Sequence, residues 1–424
     1  MNTTKLRLFK KDFTLMLIGQ IISLFGNTIL RFILPLYILN VSGSPVLFGI
    51  VSATSIIPMI IMSPLGGIIA DRVNKQKIMV VLDFMTTGIL LLFMLANGRV
   101  LLVPLVVIML MLLYAVQGAY QPAVQASVPL LAKGELLMPA NSAINLVQSM
   151  SNLLGPVIGG MLYAVYGLNI ILVVSSVCFF ISAVMELFIQ IPYKKQAKRK
   201  TVWKTVQNDM RISIRFMVKE NSVIIKILFL LICVNLFMSA MLVIGLPVVI
   251  TQNLGFNETY YGITQGCMGA GGLAGGLFAG FLGNKLSVHK SHILLLLCGL
   301  GIIPMGLVLM ADVSAFICFL AISIMSFFIM ALSTIFSIKM LAFVQEHTPP
   351  HILGKVVSCI MALAMLSMPL GQAIYGLLFQ QLQSVVWSVF LGSAILSCLT
   401  AMFSKASFQR LSEMQPIKSE ENNG

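Results

Sequence analysis

The chain alternates long apolar runs with short polar breaks from one end to the other. Twelve runs lie near 13–39, 46–69, 78–97, 101–125, 141–165, 168–191, 222–250, 259–283, 291–311, 314–341, 355–380 and 384–404. Each reaches roughly 20 residues, the length an α-helix needs to cross a ~30 Å hydrocarbon core at 1.5 Å per residue. Barrel strands would alternate over about 10 residues instead. The pattern therefore predicts an all-α membrane protein of twelve transmembrane helices. The first run is too long for the apolar part of a signal peptide, and no small-residue cleavage site follows it, so no cleaved leader is expected.

Composition strengthens this picture. Of 424 residues, 58% are hydrophobic and 9% charged, whereas a soluble domain carries about 25% charged residues. The net charge of +14 would suit nucleic acid if the basic residues lay on a folded soluble domain, but they do not. Apart from Arg99, Arg31 and Lys339, every Lys and Arg lies at the N-terminus, in or beside alternate loops on that same side, or in the C-terminal tail. This positive-inside bias places both termini in the cytoplasm of a bacterial-type cell membrane. The expected partners of the excess are anionic lipid headgroups, not nucleic acid. The seven cysteines sit singly in separate apolar runs, which supports neither a disulfide framework nor a zinc site. His289, His292, His347 and His351 read as solvated loop residues. No metal or cofactor is expected.

The longest polar stretch divides the runs into two sets of six. The expected organisation is a first half over 1–191, a basic linker over 192–221, a second half over 222–404 and a tail over 405–424. Within the linker, Val202, Val206, Met210, Ile214 and Met217 recur at spacings of three and four, which predicts an amphipathic helix on the inner membrane surface. A faint repeat supports the division. Gly67-Ile68-Ile69-Ala70-Asp71-Arg72 follows the second run, and Gly280-Phe281-Leu282-Gly283-Asn284-Lys285 follows the eighth without the acid. Two like-oriented halves are the parallel-repeat plan of many secondary transporters, with substrate bound between them near the midplane.

These residues resemble the major facilitator superfamily, specifically its drug-efflux branch with the macrolide exporters. The loop matches at Gly67, Asp71, Arg72 and Lys75, with Asn74 where Gly is usual; Asn tolerates a left-handed turn best after Gly. Gly155-Pro156-Val157-Ile158-Gly159-Gly160 is similar to the antiporter motif of helix five, with Ser151 for a usual Gly. Gln121-Pro122-Ala123, Thr348-Pro349-Pro350 and Gly354-Lys355 also fit this branch. The chain departs from the pattern twice. Tyr114 stands four before Gly118, where an Arg is frequent, and Asn27 follows Gly26, where an acid is common. Both absent groups would handle protons.

The resemblance implies that Asp71 approaches the start of helix eleven, near Gly354-Lys355-Val356, where free N–H groups and the helix dipole favour an anion. Arg72 and Lys75 would then pair with nearby acids or headgroups, and Asp83 is an acid able to answer them. The simpler alternative is that Arg72, Lys75 and Lys77 only anchor topology. Gly155, Pro156, Gly159 and Gly160 would form a bent, closely packed helix that limits leak, or plain helix packing. The glycines of the eighth run read as packing residues.

Polar stripes at spacings of three and four mark candidate cavity faces. Helix one carries Gln20, Ser23, Asn27 and Arg31; helix four carries Tyr114, Gln117, Gln121 and Gln125; helix five carries Asn141, Asn145, Gln148 and Asn152. An Arg inside a span must face water, a partner or a cavity. Glu186 is a candidate proton site or a partner for a basic residue. Abundant Met, 28 in all, suits a cavity that adapts to a small amphipathic substrate. The leading expectation is export of bulky amphipathic or hydrophobic compounds, macrolide-type antibiotics or other drugs, by a monomeric alternating-access antiporter with protons as the coupling ion. The alternatives are a carrier for a specific metabolite, siderophore or lipid and, last, a non-transporting scaffold or sensor. No nucleotide-binding loop or catalytic set points to an enzyme.

Overall fold

The computed structural model describes residues 9–192, 202–282, 290–311, 313–350 and 352–411. Contacts divide the chain into two compact units. One comprises Met1–Val202 with Phe256–Gly266, the other Trp203–Gly255 with Cys267–Gly424.

The first unit is built from α1 (Lys11–Ser42), α2 (Pro45–Arg72), α3 (Lys75–Ala96), α4 (Leu102–Leu131) and α5 (Leu137–Leu187). Ser42-Gly43-Ser44-Pro45 makes the first turn. Gly43 closes α1 at φ +61, which a residue without Cβ adopts freely. Ser44 caps α2 by accepting the Leu47 N–H at 3.3 Å, and Pro45 occupies the first position, where its missing N–H costs nothing. Asn74 does not take the left-handed turn expected of it. Its φ is −59, and its side chain instead caps α3 by accepting the Gln76 N–H at 3.0 Å. Inside α5, Gly167 stands at φ +71, ψ −175, which is not helical. The continuous stretch Gly134–Leu187 spans 54 residues, about 80 Å of helix. That is two crossings, divided where the sequence placed the break between its fifth and sixth runs. Apolar cores form around Leu30, Leu34, Leu90, Phe93, Leu110 and Phe179, and around Phe13, Met16, Met79 and Ile144.

The second unit contains α6 (Val202–Arg215), α7 (Ser222–Cys233), α8 (Ala240–Pro247), most of α9 (Glu258–Leu282), α10 (Ser291–Met310), α11 (Ala315–Glu346), α12 (Leu353–Gln381) and α13 (Val386–Leu411). α7 and α8 are parts of one span, joined through a π turn over Val234–Ser239 and extended by another over Val248–Asn253. A π turn offsets backbone carbonyls from their ordinary partners. Hydroxyls supply some: Tyr375 and Ser393 both donate to the Phe237 carbonyl, at 2.8 and 2.7 Å, and Ser367 donates to that of Ile232 at 3.3 Å. Asn235 in turn donates to the Ala364 carbonyl at 2.9 Å. The core gathers Ile224, Ile227, Phe336, Met340, Phe343 and Val356.

Among the described residues the fold is all-helical. Ten stretches are long and apolar enough to cross a membrane; counting the doubled α5 and the Gly-rich α9 gives the twelve helices expected. Large apolar side chains stand exposed at Leu92, Phe229, Phe281 and Phe403, as the hydrocarbon-facing surface of a bundle requires. Two further expectations change. The linker helix ends at Arg215, and a π turn over Phe216–Glu220 buries Phe216 and Met217 in the second unit while Met210 and Ile214 stay exposed. His347 is not solvated: it is 5% exposed, stacks on Phe343 and places Nδ1 3.0 Å from the Phe343 carbonyl. His289, His351, Asn284 and Lys285 lie outside the described residues.

Candidate functional site

Helices α1, α3, α4 and α5 converge on a polar region within the first unit. The stripe of α1 is its spine. Gln20, Ser23 and Asn27 are buried, and Arg31 is half-buried one turn further on. The stripe of α4 meets it. Arg31 Nη1 donates to Gln117 Oε1, and the guanidinium lies 3.9 Å from the centroid of the Tyr114 ring, a cation–π contact. Among the described residues no carboxylate forms an ion pair with Arg31, and its Nε has no partner. The Gln20 amide, Asn27 Oδ1 and Gln121 Nε2 are also buried without partners there. A cavity of about 20 Å³ is lined by Ser23, Asn27, Asp83, Gln117, Tyr120 and Gln121 among others. That is room for about one water, far below the ≈ 300–1,000 Å³ usual for a drug-sized ligand.

The sequence-selected residues fall into separate places. Gln20, Asn27, Arg31, Tyr114, Gln117 and Gln121 are drawn together. Asn145 and Asn152 are exposed on α5, with Gln148 partly so, and none of them lines that pocket. Asp83, grouped above with the loop, is instead 2% exposed and accepts the Ser23 hydroxyl at 2.6 Å. Glu186 answers no basic residue in the described structure; its Oε1 accepts the Tyr120 hydroxyl at 2.6 Å. Asp71 is the next-to-last residue of α2, its side chain outside the described residues; Arg72 is exposed and Lys75 opens α3. Gln76, which sequence reasoning passed over, ties the loop to the end of α5 by donating to the Glu186 and Leu187 carbonyls at 3.2 and 2.9 Å.

The glycines also divide by role. A Cβ on Gly67 would meet nothing within 4 Å, whereas one on Gly66 would lie 2.7 Å from Ala119 Cα and 2.8 Å from the Gly118 carbonyl. Gly66 with Gly118 therefore sets the α2–α4 approach; two small residues on facing helices were the signal for it. In α5, Gly155 and Gly159 face Thr28 and Ile29 of α1, while Gly160 faces the Glu258 carbonyl at 2.6 Å from its would-be Cβ. Gly262 lies likewise against the Pro156 carbonyl at 2.6 Å. Asn40 donates to Glu258 Oε1, and Phe32 stacks on Tyr261 at 4.8 Å. The first turns of α9 are thus seated on α5 and α1 inside the first unit.

The family model for the Major Facilitator Superfamily matches residues 16–372 and 228–421. The chain belongs to the Major Facilitator Superfamily. It is 25% identical to macrolide efflux protein A of Streptococcus pyogenes over 396 residues, covering 89% of this chain and 92% of that protein. It is 27% identical to macrolide efflux protein A of Enterococcus faecalis over 338 residues, covering 76% and 97%. Its fold is similar to the crystal structure of the nucleoside transporter NupG, with a TM-score of 0.73 over 94% of this chain and 100% of that one, at 13% identity. As a member of the superfamily it is a multi-pass membrane transporter, not an enzyme.

Proposed function

We infer that this transporter exports bulky amphipathic compounds of the macrolide type by alternating access, with protons moving the other way. The observation that carries this reading is the match to macrolide efflux protein A along nearly the whole of both chains. The buried, unpaired amides of Gln20, Asn27 and Gln121 and the Arg31–Tyr114 contact support it, since they set polar and aromatic groups side by side inside the first unit. The protein works as a monomer in a bacterial-type cell membrane, with both termini cytoplasmic. The exposed Met210 and Ile214 of α6 rest in the interface, beside anionic headgroups. Expressed in a macrolide-sensitive host stripped of its own pumps, the protein should raise tolerance to macrolides and lower their accumulation. Unchanged tolerance across a macrolide panel would sink this reading.

Gating rests on the loop between α2 and α3. Asp71 serves a latch that holds one access state shut, as the resemblance implies, with Arg72 and Lys75 on neighbouring acids or headgroups. Asp71→Asn removes the charge at nearly constant size. It should leave membrane insertion intact and reduce efflux about tenfold or more, a coupling near 1.4 kcal/mol. Efflux equal to the unsubstituted protein at equal surface amounts would remove the latch.

Arg31 favours a second reading. Its guanidinium has an amide and a ring for company but no acid in the described structure, an arrangement complementary to a carboxylate or phosphate. A carrier for an anionic metabolite would use it directly. Competition of macrolide efflux by anionic amphiphiles separates the two readings.

A further inference from the structure

Two buried carboxyls of the first unit are linked through neighbouring hydroxyls, and among the described residues neither forms an ion pair. Asp83 comes from α3 and is 2% exposed; Glu186 comes from the end of α5 and is fully buried. The Ser23 hydroxyl joins them through α1. It donates to Asp83 Oδ2 at 2.6 Å and lies 3.3 Å from Ser182 Oγ, which donates to the Gly19 carbonyl at 3.0 Å. Ser182 and Glu186 are one turn apart on the same face of α5. Gly19 makes the approach possible: a Cβ there would lie 3.3 Å from Ser182 Oγ and 3.5 Å from Glu186 Oε1. Tyr120 donates to Glu186 Oε1 at 2.6 Å, which leaves Oε2 unpartnered. Gln20, fully buried on α1 beside Gly19, has neither amide atom paired.

Among the described residues the surroundings supply no compensating charge. α4 brings one titratable group, Tyr120. α1 brings only Ser23 and Gln20, and its Asp12 is taken by the Gln190 N–H at 3.0 Å. α3 and α5 bring the two acids themselves. Among the described residues no Lys, Arg or His forms an ion pair with either acid. Two carboxylates in one dry site repel each other and lose hydration together, and the usual resolution is that one carries a proton. The neutral acid then adds an O–H donor to a region that holds unpaired acceptors at Glu186 Oε2 and Gln20 Oε1.

We propose that Asp83 and Glu186 form the proton-exchange site of this transporter, holding one proton between them and releasing it through the pocket that Asp83 shares with Asn27, Gln117 and Gln121. The step is a plain proton transfer. A carboxyl O–H breaks, its electron pair stays on the carboxylate, and the proton leaves to water; reloading reverses it. Ser23 and Tyr120 are positioning residues that keep the two acids in register. This deepens the proton-antiport reading given above and rests on it for its role in transport.

The site is testable without any substrate. Infrared difference spectra of the purified full-length protein across a pH series should show one protonated carboxyl per monomer. The double substitution Asp83→Asn with Glu186→Gln should abolish that titrating band, each single substitution should shift it, and the exposed Glu135→Gln should leave it. Tyr120→Phe removes the hydrogen bond to Glu186 Oε1 but leaves both acids in place, and should shift the carbonyl stretch without removing the band. A band that persists unchanged in the double variant, or both acids ionised throughout, would overturn the proposal. Because no macrolide is present, a chain that exports no macrolide still gives the band if the site is right. Failure of the export reading is thus separable from failure of the site.

Discussion

Gly275→Leu should lower the melting temperature of the purified protein and the amount that reaches the membrane more than any other single change considered for the second unit. A Cβ at Gly275 would lie 2.3 Å from the Ala331 carbonyl, and one at Gly271, a turn earlier, 2.2 Å from that of Phe327. Both obstacles are backbone of α11, which cannot swing aside as a side chain can. The pair is a small-residue seam of the Gly-x-x-x-Gly kind, and its stability comes from close packing, not from burial away from water. Forcing a branched side chain into it costs about 1–3 kcal/mol, and more where nothing yields. The same helix provides the control. A Cβ on Gly276 would meet nothing within 4 Å, so Gly276→Ala should be neutral or gain up to about 1 kcal/mol of helix propensity. Melting curves that do not distinguish the two variants would refute the seam.

The second large effect is expected at Gly262. Here the first turns of α9 rest on α5, with Gly262 against the Pro156 carbonyl and Gly160 against that of Glu258, each 2.6 Å from a would-be Cβ. Gly262→Val should push α9 off this seat. If the contact forms and parts in each cycle, a loss of about 1–3 kcal/mol from its closed form shifts the closed population by about fivefold to a hundredfold. Unenergised proteoliposomes carrying the variant should then leak substrate faster, while energised transport falls. Leak and transport both at the level of the unsubstituted protein would leave Pro156 and its neighbouring glycines with packing alone.

How far the sequence carries depends on the interaction concerned. Run length answers to the bilayer alone, so the twelve spans were legible, and Gly167 turns the chain between the fifth and sixth runs where the apolar pattern paused. The meeting of the stripes of α1 and α4 was also foreseeable, because polar groups in a span need one another. Contacts between distant segments were not. Asp83 looked like part of the loop because it follows it in sequence, yet the hydroxyl that claims it is 60 residues away on α1. Glu186 looked like half of an ion pair, but Tyr120 reaches it first. Asn74 was judged by its turn preference, whereas the start of α3 needed a cap. The π turns around Asn235 leave no mark in hydropathy, since they depend on hydroxyls of α12 and α13 that receive the displaced carbonyls. Gly66 and Gly67 are adjacent and identical in type; only the position of α4 separates the one that packs from the one that does not.

The account stands most directly on one measurement: uptake of a radiolabelled macrolide into proteoliposomes holding the purified protein, with and without an imposed pH gradient. Accumulation above protein-free vesicles that depends on an acid interior, collapses with a protonophore and falls in Asp71→Asn is the predicted result. Uptake equal to that of protein-free vesicles for every macrolide tried, with the protein shown to be folded, would contradict it.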